Sequence, residues 1–94
     1  MEIKISETCP EIALKLREKL ECIDDADNYC FRIQLNYYDN NTLIHLKDVK
    51  NISFDDYWID INLKNNSTML LNYEYVLEYS ILNVKDVENK LDVI

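Results

Sequence analysis

The sequence predicts an α+β domain: an N-terminal helix packed on an antiparallel meander of about five strands. Three observations carry this reading. Apolar residues at Cys9, Ile12, Ala13, Leu16, Leu20 and Ile23 fall on one helical stripe. From Tyr29 onward the apolar period drops to two. Turn-forming pairs such as Asn40-Asn41, Asp55-Asp56 and Asn65-Asn66 then punctuate the chain at short intervals. At 94 residues the chain is too short for two independent cores, so residues 1–94 are expected to form a single domain.

The elements follow in order. Residues 2–6 alternate apolar and polar and read as a short edge strand. Thr8-Cys9-Pro10-Glu11 has the form of a capping box, with the Thr8 hydroxyl accepting from a first-turn N–H and Glu11 reaching back. Pro10 stands where a helix tolerates its missing N–H. The helix is expected to end near Ile23, before the polar turn at 24–28.

Tyr29, Phe31, Ile33, Leu35 and Tyr37 then share one strand face, with Cys30, Arg32, Gln34, Asn36 and Tyr38 on the other. A hairpin turn at 39–42 leads to a return strand over 43–48, a turn at Lys50-Asn51, and a short strand over 52–54. After Asp55-Asp56, the residues Tyr57, Ile59, Ile61 and Leu63 alternate with Trp58, Asp60 and Asn62. A turn at 64–67 leads to a strand over 68–71. A brief turn at 73–76 and a strand to about residue 84 follow, and residues 86–94 have the spacing for a short terminal helix. Such a meander could curve toward a small barrel. The chain holds no glycine to make the sharp bends, which favours an open sheet.

The absence of glycine also excludes chemistry. Walker-type NTPase loops, Rossmann dinucleotide sites and nucleophile elbows all need a backbone that approaches its ligand without a Cβ. Turns that need positive φ must use asparagine or aspartate.

The formal charge is -8, and it is unevenly spread. Residues 24–63 hold eight acidic and three basic groups, and all eight acids are aspartates, most of them in turns. If these turns cluster, Asp24, Asp25, Asp27, Asp55, Asp56 and Asp60 form an acidic rim able to dock on a basic groove, with electrostatic steering that weakens with salt. The competing reading is turn chemistry and solubility. Trp58 falls opposite the apolar strand face, and Tyr38 also lies on a polar side. Each is either an interface anchor or is covered by another element.

Cys9, Cys22 and Cys30 are an odd number without a basic-then-apolar leader, which suggests a reducing, cytoplasmic setting. No C-x-x-C pair or calcium-loop spacing is present, so neither a metal nor a cofactor is expected. His45 could serve a cysteine as base only if the fold brought one near. No apolar run approaches the roughly 18 residues of a membrane span, and a strongly acidic surface repels nucleic acid.

In size, charge, lack of a catalytic motif and AT-rich coding bias (abundant Asn, Ile, Lys and Tyr, two Ala, two Arg), the chain resembles small acidic phage-encoded anti-CRISPR and anti-restriction proteins. That resemblance is one of general character and carries no aligned motif. It implies a non-enzymatic inhibitor that mimics nucleic-acid charge and binds a basic protein, a nuclease or CRISPR effector; no contact residue is carried over from it, and the charge and strand-face readings above supply Asp24, Asp25, Asp27, Asp55, Asp56 and Asp60 as the charge and Trp58 and Tyr38 as the apolar anchors. Toxin-immunity proteins share the same profile. A structural module that dimerises through an exposed strand edge is the remaining alternative.

Overall fold

A computed structural model describes residues 1–35 and 41–86. The protein is α+β, with helix α1 at Glu11–Glu21 and seven strands among the described residues. The strands are β1 (Glu2–Ile5), β2 (Tyr29–Leu35), β3 (Asn41–His45), β4 (Val49–Phe54), β5 (Trp58–Leu63), β6 (Thr68–Asn72) and β7 (Val76–Asn83). They form two open sheets and not one meander: four strands in the order β1-β4-β5-β6 and three in the order β3-β2-β7. Neither sheet closes into a barrel.

The division has a local cause. Short 3-10 turns at Leu46–Asp48 and Tyr73–Tyr75 interrupt the chain between β3 and β4 and between β6 and β7. At both points the chain leaves one sheet and enters the other. The return strand expected over 43–48 therefore stops at His45, and the segment expected to turn at Lys50-Asn51 is already inside β4. β1 is an edge strand as expected, but it runs parallel to β4, with Ile3 level with Ile52 and Ile5 level with Phe54. The β7 strand lies beside β2, far from it in sequence, with Phe31 level with Ile81 and Ile33 level with Tyr79. Residues 36–40, which include part of the hairpin turn expected at 39–42, and residues 87–94, which include the expected terminal helix, lie outside the described segments.

One core unites the layers. Phe31, Ile33 and Ile44 come from one sheet, and Ile52, Phe54, Ile59 and Ile61 from the other. Ala13, Leu16 and Leu20 of α1 complete it at helical spacing. Each large apolar side chain sealed in this way stabilises the fold by about 1.5–3 kcal/mol. Phe31 also stacks on Tyr79, with ring centroids 5.9 Å apart.

The helix start differs from the capping-box expectation. Pro10 is the N-cap residue, and no side chain caps the first turn. Asn66 takes the place of a glycine in the β5–β6 turn, at φ 70°. No helix among the described residues is long and apolar enough to cross a membrane.

Candidate functional site

The strand directions divide the expected acidic residues between two ends of the molecule. β1 and β4 run in parallel, so Ile5 and Phe54 finish together, and α1 starts from the same end. Asp55 and Asp56 follow Phe54 directly. Asp24, Asp25 and Asp27 lie after the far end of α1, where Asp24 lines a groove with Met1 and Ile3 from the start of β1. The six residues of β4 span about 20 Å. The six aspartates therefore do not form one rim.

The end that holds Asp24, Asp25 and Asp27 is mixed in charge. The turn at Ala26–Asn28 lies beside the turn at Leu46–Asp48, which brings Lys47 and Asp48 to the same region. The Lys64 N–H donates to the Asp48 carbonyl at 2.9 Å. Asn28 donates to the Asp25 carboxylate, an ordinary turn interaction.

The opposite end is acidic and aromatic. Segments 6–10, 55–58 and 72–75 meet there, and they contain Glu7, Asp55, Asp56 and Glu74 but no lysine or arginine. Tyr57 is 72% exposed, Trp58 44% and Tyr75 49%. The turn that carries Asp55, Asp56 and Tyr57 is braced from two sides. Ser6 and Thr8 donate their hydroxyls to Asp56 Oδ1 at 2.6 and 2.5 Å. Tyr73 donates its hydroxyl to the Asp55 carbonyl at 3.0 Å and its N–H to the Tyr57 carbonyl at 3.3 Å. The Asp55 N–H donates to the Trp58 carbonyl at 2.9 Å. The two hydroxyl donors hold the Asp56 carboxyl below the usual carboxylate value, so it stays charged at neutral pH. Burial, aided by nearby Cys9, Tyr79 and the two aspartates, pushes the Tyr73 phenol up.

Trp58 and Asp60 lie on the outer face of β5, together with Asn62. Trp58 remains partly exposed and is not sealed under another element. Asp60 is half-buried between Ser53 of β4 and Leu70 of β6, so it is flatter against the sheet than a rim residue. Beside it, Asn62 donates to Asn51 at 2.7 Å and accepts from Thr68 at 2.8 Å. Tyr38 lies outside the described residues.

Sequence reading placed Tyr57 and Tyr75 on apolar strand faces, whereas both are exposed. Extending the alternation of β5 back to Tyr57 assigned it to the apolar face, but the strand begins at Trp58. The preceding Asp55-Asp56 turn was the available signal.

The fold does bring a cysteine to His45. Cys30 and His45 are directly opposite on β2 and β3, with Sγ 3.5 Å from Nδ1. The Cys30 side chain is fully buried, so no substrate reaches its sulfur in this conformation. No cluster of three or more His, Cys, Asp or Glu with metal-binding geometry occurs among the described residues. Compared with known proteins, the chain matches no family model, no curated protein and no solved structure.

Proposed function

We propose that this protein is a non-enzymatic acidic inhibitor, of anti-CRISPR or anti-restriction type, that docks on the cationic nucleic-acid channel of a nuclease or CRISPR effector in the cytoplasm. One observation carries the reading: the braced Asp55–Trp58 turn presents two carboxylates and two exposed aromatic rings, and the segments that meet there carry no basic side chain of their own. Carboxylates there offer charge to lysines and arginines, and the rings offer area and cation–π contacts. The bracing holds the turn in place before binding, which limits the ordering cost of association. The aspartates at 24–27 contribute to the long-range field of the acidic chain but lie too far away to share this contact.

The test is capture from the lysate of a low-GC bacterial host with nuclease treatment throughout, followed by a DNA-cleavage assay of the captured protein. The expected outcome is a basic nuclease or effector that loses DNA binding in proportion to added inhibitor. A captured partner whose cleavage is unchanged at saturation overturns the proposal, as does capture that depends on intact nucleic acid.

A further inference from the structure

We propose that residues 87–94 continue a helix that starts at Val84, and that this helix lies across the outer face of the three-stranded sheet. β7 ends at Asn83, and residues 84–86 are helical. The Asn83 side-chain carbonyl accepts from the Lys85 N–H at 3.0 Å, which is the bond of a helix N-cap. Asp86 stands in the first turn, where a negative charge suits the helix dipole. Val84 is half-buried while Lys85 and Asp86 are exposed, so the helix opens with one side against the domain.

The sequence continues that side. Val84, Val87, Leu91 and Ile94 fall on one helical stripe, with Glu88 and Asp92 along one flank and Lys90 on the other. A helix over 84–94 is about 16 Å long, and one of that length is marginal in water by itself. Its apolar stripe needs a surface.

The outer face of the three-stranded sheet provides it. Phe31, Ile33, Ile44, Tyr79 and Ile81 turn inward to the core, which α1 also enters with Ala13, Leu16 and Leu20. Strand alternation puts Cys30, Arg32, Leu43, His45, Ser80 and Leu82 on the other side. Two rows cross the strands there, His45–Cys30–Leu82 and Leu43–Arg32–Ser80. Leu82 immediately precedes Asn83, so the chain leaves β7 at the first row. Leu43 is 40% exposed in the second row, on the strand farthest from β7. The first and third strands stand about 10 Å apart, within the length of the helix. Arg32 is half-buried at the centre of the face and makes no ion pair among the described residues. Glu88 and Asp92 bring two carboxylates within the same segment. A second copy would carry its own net charge of -8 to this face, whereas the tethered segment starts beside it. Exit point, length and charge therefore select the chain's own residues 87–94 as the occupant. The docked helix also covers the Cys30–His45 pair.

Nuclear magnetic resonance of the intact chain tests this. Amides over 88–94 are expected to exchange about tenfold or more slowly than in a free peptide, at a rate independent of protein concentration. The Leu91 methyls are expected to give Overhauser cross-peaks to the methyls of Leu43 or Leu82. Leu43→Asp and Leu91→Asp should each remove most of the protection over 88–94 and leave the amides of β4 and β5 protected. Leu91→Asp touches no described residue of the core, so it keeps the test open if Leu43→Asp fails to fold. Unprotected amides over 88–94 overturn the proposal. So do Leu91 cross-peaks to Ile12, Val76 or Tyr79, which would seat the segment in the groove between α1 and β7. Protection that rises with protein concentration also overturns it, since the segment would then lie on a second copy.

Discussion

The Thr8 hydroxyl donates to Asp56 Oδ1 at 2.5 Å, across 48 residues of sequence. Local sequence assigns Thr8 to the helix start, yet it ties the β1–α1 connection to the β4–β5 turn. The consequence is pH-dependent. The Asp56 carboxyl has a folded-state pKa below its ordinary 3.8, so its contribution to stability is present above about pH 3.8 and is lost as pH falls through the lower, folded value. Thermal melts across the acid range should show that Asp56→Asn removes this part of the acid destabilisation. Thr8→Ala should lower the melting temperature in the native background but not in Asp56→Ala. Equal effects in both backgrounds would place the Thr8 contribution at the helix cap after all.

Phe54 and Trp58 flank the same turn with opposite roles. Phe54 is fully buried between the sheets, while Trp58 stands partly in solvent. Phe54→Ala should cost about 3–5 kcal/mol in urea denaturation, because it removes the buried ring and leaves a cavity. Trp58→Ala should change stability far less, by about 1 kcal/mol or under. Comparable losses would mean that the indole belongs to the core.

Asn66 tests how a chain without glycine makes its turns. Its φ of 70° lies in the left-handed region, where a Cβ costs roughly 1–2 kcal/mol and where asparagine is better tolerated than most residues. Asn66→Ala should destabilise by about 1 kcal/mol, and Asn66→Gly should be neutral or stabilising. Both are read from denaturation midpoints at constant slope.

Much of this architecture was legible because local pattern decided it. Ala13, Leu16 and Leu20 lie on the predicted stripe, Ile59 and Ile61 alternate as predicted with Trp58 and Asp60, and the 73–75 turn separates β6 from β7. What was not legible depends on distant partners. The pairing of β1 with β4 and of β2 with β7 joins segments dozens of residues apart, and single-strand periodicity carries no information about neighbours. The same limit hid the separation of Asp24 from Asp56. Turn residues were recognisable one by one, but the end of the molecule each occupies follows from strand direction, which the two sheet-crossing 3-10 turns set.

Tyr79 gives an alkaline signature. Burial pushes its phenol up to about 12, and its sealed hydroxyl has no hydrogen-bond partner among the described residues. Between about pH 10, where the unfolded phenol ionises, and pH 12 the native state holds a proton that the unfolded chain has released, so stability falls as pH rises through that window. Tyr79→Phe should flatten this decline. It should leave stability at neutral pH equal or higher, since the ring still stacks on Phe31 and a hydroxyl without a partner is removed. Loss of stability at pH 7 would show that the hydroxyl makes a bond in solution.

The two charged ends make opposite predictions for binding. Trp58 is the chain's single tryptophan, so its fluorescence reports directly on the acid–aromatic end. With the captured nuclease or effector, stopped-flow association should slow steeply at low salt for Asp55→Asn with Glu74→Gln, because the neutralised groups stand at the contact. Neutralising Asp24, Asp25 and Asp27 removes more charge from the chain but only from its distant, mixed end, and should slow association less. Trp58→Ala should act mainly on dissociation, raising it about tenfold or more if the indole is an anchor, and its binding is then followed by calorimetry. If the triple substitution at 24–27 had the larger effect, attraction would be set by net charge or by the other end, and the Asp55–Trp58 turn would lose its claim to be the docking surface.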